Sequence, residues 1–277
     1  MAKIAKTAEE TKQAEREWHD AEHRLHAASS YPGGTAEFVE TFKRVDLTDF
    51  CEGGWSYWGD SRAEALKELA NIQGMNVLDY GCGSGRLGIY LTLRGANVWA
   101  FDLSAEGIKV AQDAARQYGV LAKFEQMDAE DLRYPDDFFD LVIGFGVLHH
   151  VIKYAGAASH LRRVLKPGGR AVFIETLWDN PLINFARRFT TVDAGAGDTR
   201  LTEMGICKFA REFEQVCLEK RNFLYMLKRL AKLPERNLAE PLRPRGFWRA
   251  VKSADKVLLR SSLLRRYCGE VIVWLRK

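Results

Sequence analysis

The stretch VLDYGCGSGRLG, residues 77–88, decides how this chain of 277 residues folds. An apolar run ends at Asp79, then three glycines follow at alternate positions, Gly81, Gly83 and Gly85, and helix-forming residues come next. Glycine has no Cβ, so a turn rich in glycine lets the backbone approach a ligand closely. A helix that begins after such a turn points its free N–H groups at that ligand. The pattern therefore predicts a ligand-binding turn between a buried strand and a helix.

Short apolar segments and helical segments alternate along most of the chain. The predicted strands cover 76–81, 97–102, 122–128, 140–146, 170–176 and 268–276. The predicted helices cover 3–29, a stretch from about 60, 84–94, 104–118, 155–165, 202–213, about 223–234 and about 246–264. Strands separated by helices in this way indicate βαβ units and a parallel sheet buried on both faces, joined by right-handed crossovers. We therefore predict an open α/β sheet.

This pattern divides the chain into three parts. Residues 66–180 with 268–277 form a Rossmann-like core, residues 1–65 an N-terminal helical cap or arm, and residues 181–267 a helical substrate lid. Ligands of open α/β sheets bind at the carboxyl ends of the strands, where the strand order reverses. We therefore expect the functional residues directly after the strands.

Composition and charge restrict the class of protein. No apolar run approaches the roughly 18 residues that span a bilayer, and the polar first 18 residues lack the apolar core of a signal peptide. The five cysteines form no CxxC pair, so we expect reduced thiols in a cytoplasmic protein. Residues 1–159 hold 16 basic and 25 acidic residues, whereas 160–277 hold 25 and 12. The basic excess in 221–266 is interpreted as solvated helix faces, or as a surface for an anionic partner.

Carboxylates follow three successive predicted strands. Asp79 precedes the glycine turn, Asp102 comes 21 residues after Gly81, and Asp128 ends the third strand. A carboxylate about 20 residues beyond the turn is where a nucleoside ribose is held by its hydroxyls. The turn reads GxGxG, not the GxGxxG of dinucleotide-binding proteins, and a carboxylate beside it would repel a pyrophosphate but suits an ammonium group. Each Asp taken alone also fits a helix cap or a turn.

Five segments together resemble the successive motifs of class I S-adenosylmethionine-dependent methyltransferases, in order and with the usual spacing. They are VLDYGCGSGRLG (77–88), FDLS (101–104), MDAEDL (127–132), FDLVIGFGVLHHV (139–151) and LRRVLKPGGRAVFIE (161–175). The resemblance implies a seven-stranded, mostly parallel sheet whose last strand, 268–276, pairs antiparallel, and S-adenosyl-L-methionine as the cofactor.

The resemblance also implies roles for the residues that match those motifs. Asp79 and Gly81 would serve the methionine part of the cofactor, Asp102 the ribose hydroxyls, and Asp128 the amino edge of adenine. The remaining implied cofactor-binding residues are Cys82, Gly83, Leu103, Ala129 and Phe145, of which Leu103 would pack on adenine and Phe145 would lie beside the sulfonium.

Candidate catalytic groups follow the fourth and fifth strands. His149 and His150 come directly after Phe145-Gly-Val-Leu, so one of them is expected to face the pocket and the other the helix behind. Glu175 ends the fifth strand, where a buried carboxylate can take a proton or stabilise a positive charge. The alternative for the histidines is packing or capping, and for Glu175 a hydrogen bond to a neighbouring loop.

The methyl acceptor is predicted to be a small lipophilic metabolite. Trp58 and Trp178 are expected at the mouth of the pocket, as cation–π partners or as an apolar wall, and Arg187 suits an anionic head group. Prenyl, quinone and polyketide-like natural products fit, with methylation at carbon or oxygen. The alternatives are an RNA-modifying methyltransferase that uses the basic block, and a catalytically silent cofactor-binding subunit.

The predicted N-terminal helix carries three histidines at helical spacing, His19, His23 and His26. We interpret this helix as a lid over the cofactor, or as an arm that reaches a second copy of the chain, in preference to a metal site. We expect no metal and no nucleic-acid partner. Peripheral contact with a membrane and homo-oligomerisation through this helix are further expectations.

Overall fold

The computed structural model describes residues 7–26, 36, 65–66, 69, 71–181, 184–185, 199–226 and 245–277. Within these residues, seven strands form one sheet of order β3-β2-β1-β4-β5-β7-β6. The strands are β1 (Asn76–Tyr80), β2 (Asn97–Asp102), β3 (Lys123–Gln126), β4 (Phe139–Phe145), β5 (Leu165–Thr176), β6 (Gln215–Arg221) and β7 (Glu270–Arg276). The first five pair in parallel, and β7 lies antiparallel between β5 and β6. The predicted fold class, with its antiparallel last strand, is confirmed.

The helices lie between and beside these strands. They are α1 (Ala8–His26), α2 (Arg86–Leu93), α3 (Ala105–Tyr118), α4 (Leu148–Val151), α5 (Ala155–Val164), α6 (Glu203–Phe209), α7 (Arg245–Leu258) and α8 (Ser262–Arg265). Helix α1 is the described part of the predicted helix over 3–29, because 3–6 and 27–29 lie outside the described residues. The ends of α3 follow from local chemistry, because the Ser104 hydroxyl accepts a hydrogen bond from the Gly107 N–H and Gly119 closes the helix with φ 65°.

The strand β6 corrects the predicted lid. The sequence predicts a helix over 202–213 and a helical lid over the whole of 181–267, but Gln215–Arg221 is an edge strand of the core sheet. Its sequence, QVCLEKR, is half exposed and carries three charges, so it lacks the buried apolar run that identified the other strands. The helical prediction holds for α6, α7 and α8, and the rest of that range lies outside the described residues.

The sheet is buried on both faces. Successive residues of β5 alternate between the two cores, with Phe173 on one face and Val172 and Ile174 on the other, and all three have no exposed surface. Because β1 to β5 run in parallel, their carboxyl ends meet at one edge of the sheet. That edge carries the glycine turn and the loops after β2, β3, β4 and β5.

Helix α7 is tied to the segment after β6 by one buried carboxylate. Asp255, 2% exposed, accepts hydrogen bonds from the backbone N–H groups of Phe223 (2.9 Å), Leu224 (2.7 Å) and Tyr225 (2.8 Å).

No helix in the described part of the chain combines the length and apolar character needed to cross a bilayer.

Replacing Asp255 by Asn is expected to lower the free energy of unfolding by about 2 kcal/mol, because the new NH₂ group faces backbone donors and leaves at least one of them unpaired. For a chain of this size, thermal unfolding should then occur roughly 4–8 °C lower. The exposed Asp131 supplies the control, since Asp131→Asn should leave the midpoint unchanged. Equal midpoints for all three proteins would show that the Asp255 contacts contribute little.

Candidate active site

The glycine turn lies between β1 and α2, as the sequence predicts. The atoms that a Cβ would meet differ among its three glycines. Gly81 has φ 68°, and a Cβ there would lie 2.2 Å from Val147 Cγ2. Gly85 has φ 82°, and a Cβ there would lie 2.4 Å from the Cβ of Ala111. At both positions the close approach is to protein. Gly83, with φ 52°, faces His23 of α1, and a Cβ on Gly83 would lie 3.2 Å from His23 Cε1.

Asp102 joins the end of β2 to the glycine turn. Its Oδ2 accepts a hydrogen bond from the Gly83 N–H at 2.7 Å, and its Oδ1 accepts one from the Ser104 N–H at 2.9 Å. Each carboxylate oxygen keeps a further lone pair, so the group can still accept from hydroxyls of a ligand. Leu103 is partly exposed beside it, and its carbonyl accepts from the Gln126 side chain at 3.0 Å.

Asp79, at the end of β1, and Cys82, within the turn, are both buried. Asp79 is 2% exposed, and its Oδ2 lies 3.2 Å from where a Cβ on Gly88 of α2 would be. Burial raises the pKa of the Cys82 thiol well above its usual value, and the charges of Asp79 and Asp102 raise it further. Cys82 is therefore a protonated thiol at neutral pH, so it suits packing beside a ligand and not nucleophilic attack.

Asp128, after β3, is paired with the N-terminal helix. The Lys12 ammonium lies 2.6 Å from Asp128 Oδ2 and 2.8 Å from Glu130 Oε2, and the Glu130 N–H donates to Asp128 Oδ1 at 2.9 Å. Burial lowers the pKa of Lys12, but the two carboxylates outweigh it and the net shift is upward. Ala129 is buried beside this pair.

Glu175 and His149 form a buried carboxylate–imidazole pair after β5 and β4. Glu175 has no exposed surface, and its Oε2 lies 2.9 Å from His149 Nδ1. Its Oε1 accepts from the N–H groups of Val147 (2.8 Å) and Leu148 (2.6 Å), which begin the turn that carries His149. The alternative expectation for Glu175, a hydrogen bond to a neighbouring loop, describes this arrangement.

This pair determines which imidazole nitrogen can act as a base. An ionised Glu175 only accepts, so His149 donates from Nδ1 and the imidazole lone pair lies on Nε2. The His149 side chain is 22% exposed. A histidine held in this way takes a proton at Nε2, and the carboxylate behind it stabilises the imidazolium that forms.

His150 lies beside both His149 and α1. Its ring centroid is 4.1 Å from that of His149. Its ring lies 4.9 Å from that of His19, edge to face, and its Nδ1 lies 3.8 Å from Glu15 Oε1. The expectation that one histidine faces the pocket and the other the helix behind stays a prediction. Lys12, Glu15 and Asp20 were not predicted as residues that contact the site, although the spacing of His19 and His23 indicated the same face of α1.

The other predicted site residues lie in different surroundings. Phe145 ends β4, partly exposed, against one of the two cores. Trp178 follows β5, and the Arg200 guanidinium lies 5.1 Å above its ring. Trp58 and Arg187 lie outside the described residues. Among the described residues no group of His, Cys, Asp or Glu is arranged to hold a metal ion.

Comparison with protein families identifies the core. Residues 78–173 match a family model described as a methyltransferase domain. Residues 78–173 therefore form a methyltransferase domain. The match covers β1 to β5 almost completely, including the glycine turn, Asp102, Asp128 and His149.

Several curated relatives of this methyltransferase domain share one name. The ubiquinone biosynthesis O-methyltransferase of Pseudomonas syringae pv. tomato (strain ATCC BAA-871 / DC3000) is 38% identical over 122 residues, which are 43% of this chain and 52% of the relative. The enzyme of the same name from Aeromonas salmonicida (strain A449) is 37% identical over 155 residues, 50% of this chain and 64% of the relative. The matches thus span about half to two thirds of the relatives' length.

A solved structure extends the likeness in fold to nearly the whole chain. Magnesium protoporphyrin IX methyltransferase from Synechocystis PCC 6803, with bound SAH, superposes with a TM-score of 0.54 at 16% identity, over 96% of this chain and 99% of that one. At this identity the likeness concerns the fold alone.

Proposed function

We propose that this methyltransferase transfers a methyl group from S-adenosylmethionine to a hydroxyl oxygen of a lipophilic, quinone-like aromatic acceptor. The observation that carries the proposal is the His149–Glu175 pair, with 2.9 Å between Nδ1 and Oε2 and a fully buried carboxylate. The relatives named ubiquinone biosynthesis O-methyltransferase support both the oxygen and the acceptor class.

The residues at the carboxyl edge of the sheet fit the cofactor. Asp102 presents a carboxylate fixed by two N–H groups beside a glycine turn with left-handed backbone, which suits a nucleoside. Asp79 would face the ammonium group, and Asp128, shared with Lys12, the amino edge of adenine. Bound S-adenosylmethionine supplies a methyl group on a sulfonium that leaves as a neutral thioether.

The protein would contribute to methyl transfer a general base, His149, and a carboxylate that orients its imidazole, Glu175. A hydroxyl oxygen must lose its proton to become methylated, and His149 Nε2 is the group able to receive it. Glu175 keeps the proton on Nδ1 in the resting state and stabilises the imidazolium afterwards. An aromatic amine is neutral at pH 7 and keeps a free lone pair, so it would not need this arrangement, whereas a phenolic hydroxyl would.

Trp178 would supply part of an apolar wall for the acceptor, and Arg200, above it, a cation for an anionic substituent.

Cytoplasmic location, peripheral membrane contact and homo-oligomerisation through α1 stay predictions. The runner-up functions, RNA methylation and a silent subunit, predict different products in the same assay.

The test is methyl transfer with labelled S-adenosylmethionine and three acceptors. These are a catechol with a short prenyl chain, the same molecule with both hydroxyls already methylated, and bulk RNA. We expect label on a catechol oxygen, by mass analysis, and none in the blocked catechol or the RNA. Label in RNA, label on carbon, or no transfer from a protein that binds the cofactor would overturn the proposal.

A further inference from the structure

One face of α1 packs on the candidate active site. This inner face consists of Lys12, Glu15, His19, Asp20 and His23, whose spacing places them on one side of a helix. Lys12 and Glu15 are 7% and 3% exposed. Charged residues are rarely buried to this degree unless they are paired, so their partners indicate what α1 does.

Two residues of the inner face hold the loops of the predicted cofactor site. Lys12 is paired with Asp128 at 2.6 Å, and Asp20 Oδ1 accepts from the Ser104 hydroxyl at 2.5 Å and from the Glu106 N–H at 3.1 Å. Ser104 in turn donates its N–H to Asp102. The register of α1 is thus fixed against the loops after β2 and β3.

Glu15, between these two residues, holds a different segment. Its Oε1 lies 2.5 Å from the Lys153 ammonium and 3.8 Å from His150 Nδ1, and its Oε2 accepts from the Tyr154 hydroxyl at 3.1 Å. These three partners lie at the end of α4 and directly after it. Helix α4 is the single turn that carries His149.

We infer that Glu15 is a positioning residue for methyl transfer, which holds the turn bearing His149 at a fixed distance from the cofactor loops. The inference rests on the proposed function. Because Lys12, Glu15 and Asp20 belong to one helix, the base-bearing turn and the cofactor loops share one rigid support. Reacting atoms must approach to about 3–3.5 Å, and a misplacement of about 1 Å can cost roughly 100-fold in rate.

The state of Glu15 agrees with this role. Burial raises the pKa of its carboxyl group, but the neighbouring His150 and Lys153 side chains outweigh burial and lower the pKa overall. The group is therefore ionised at neutral pH. Removing its charge would break its ion pair with the Lys153 ammonium and loosen the end of α4.

The test compares Glu15→Gln with a matched control on the same helix. Glu17 is exposed and accepts a hydrogen bond from Gln13, one turn earlier in α1, so Glu17→Gln keeps the helix and changes the charge equally. We expect Glu15→Gln to lower kcat roughly 10- to 100-fold at saturating cofactor and acceptor, with Kd for the cofactor within about twofold of wild type. Backbone amides of 146–154 should also exchange faster in Glu15→Gln with S-adenosylhomocysteine bound. Glu17→Gln should match wild type in every measurement.

The outcomes separate this inference from the proposed function. An active wild type with unchanged kcat in Glu15→Gln would overturn the positioning role, as would a cofactor Kd that rises in proportion to the fall in kcat. A wild type that methylates no acceptor would refute the proposed function instead. Amide exchange then decides alone: faster exchange of 146–154 in Glu15→Gln supports the anchoring of the turn, and unchanged exchange overturns it.

Discussion

Glu175→Gln is expected to lower kcat by roughly 10²- to 10⁴-fold, the range attributed to a positioned general base. Both carboxylate oxygens of Glu175 accept hydrogen bonds, Oε1 from Val147 and Leu148 and Oε2 from His149. The NH₂ group of Gln must face one of these donors. If it faces His149, it forces the proton from Nδ1 to Nε2 and removes the lone pair that would receive the acceptor proton.

The measurement is kcat at saturating cofactor and acceptor, with cofactor Kd by calorimetry. The Kd should stay within about twofold, because Glu175 acts through His149 and not on the nucleoside. Glu214 is exposed, so Glu214→Gln is the matched control, and thermal unfolding checks that Glu175→Gln is folded. Full activity in a folded Glu175→Gln protein would make Glu175 a purely structural residue.

Asp102→Ala should weaken cofactor binding roughly tenfold to a hundredfold. The carboxylate would accept from the ribose hydroxyls, and hydrogen bonds to a charged group are worth about 1.5–3 kcal/mol. It also fixes the Gly83 and Ser104 N–H groups at 2.7 and 2.9 Å, so its loss releases the glycine turn.

Calorimetry with S-adenosylmethionine and S-adenosylhomocysteine tests this directly. Both ligands share the ribose, so their Kd values should rise by the same factor, whereas a residue that acts on the sulfonium would affect only the first. Asp113→Ala, at an exposed position of α3, is the control. An unchanged Kd in Asp102→Ala would remove Asp102 from the site.

The sequence predicted the part of the fold that repeats a simple physical pattern. The buried strands β1, β2, β4 and β5 are apolar runs that end in turns, and α3 has its cap residues Ser104 and Gly119. Strand β6 was not predicted, because an edge strand with charged, half-exposed residues has no such apolar run. The site residues that directly follow strands were predictable for the same reason, since the carboxyl ends of parallel strands meet at one edge.

The contacts of α1 were not predictable. Glu15 and Lys153 lie 138 residues apart, and nothing in either local sequence indicates that they meet. The role of Glu175 also needed the structure. Its position after β5 indicated a catalytic carboxylate, whereas its contacts with Val147, Leu148 and His149 make it the partner of His149, to which the proposed function gives the role of base.

In the proposed reaction His149 removes a proton from an acceptor hydroxyl. The rate of His149→Ala with two catechols tests this role, one ordinary and one made acidic by a nitro group so that its hydroxyl is already ionised at the assay pH. We expect a kcat loss of roughly 10²-fold or more for the ordinary catechol and little loss for the ionised one, because only the first needs a base. An equal loss for both acceptors would refute this role and make His149 a residue of packing or binding.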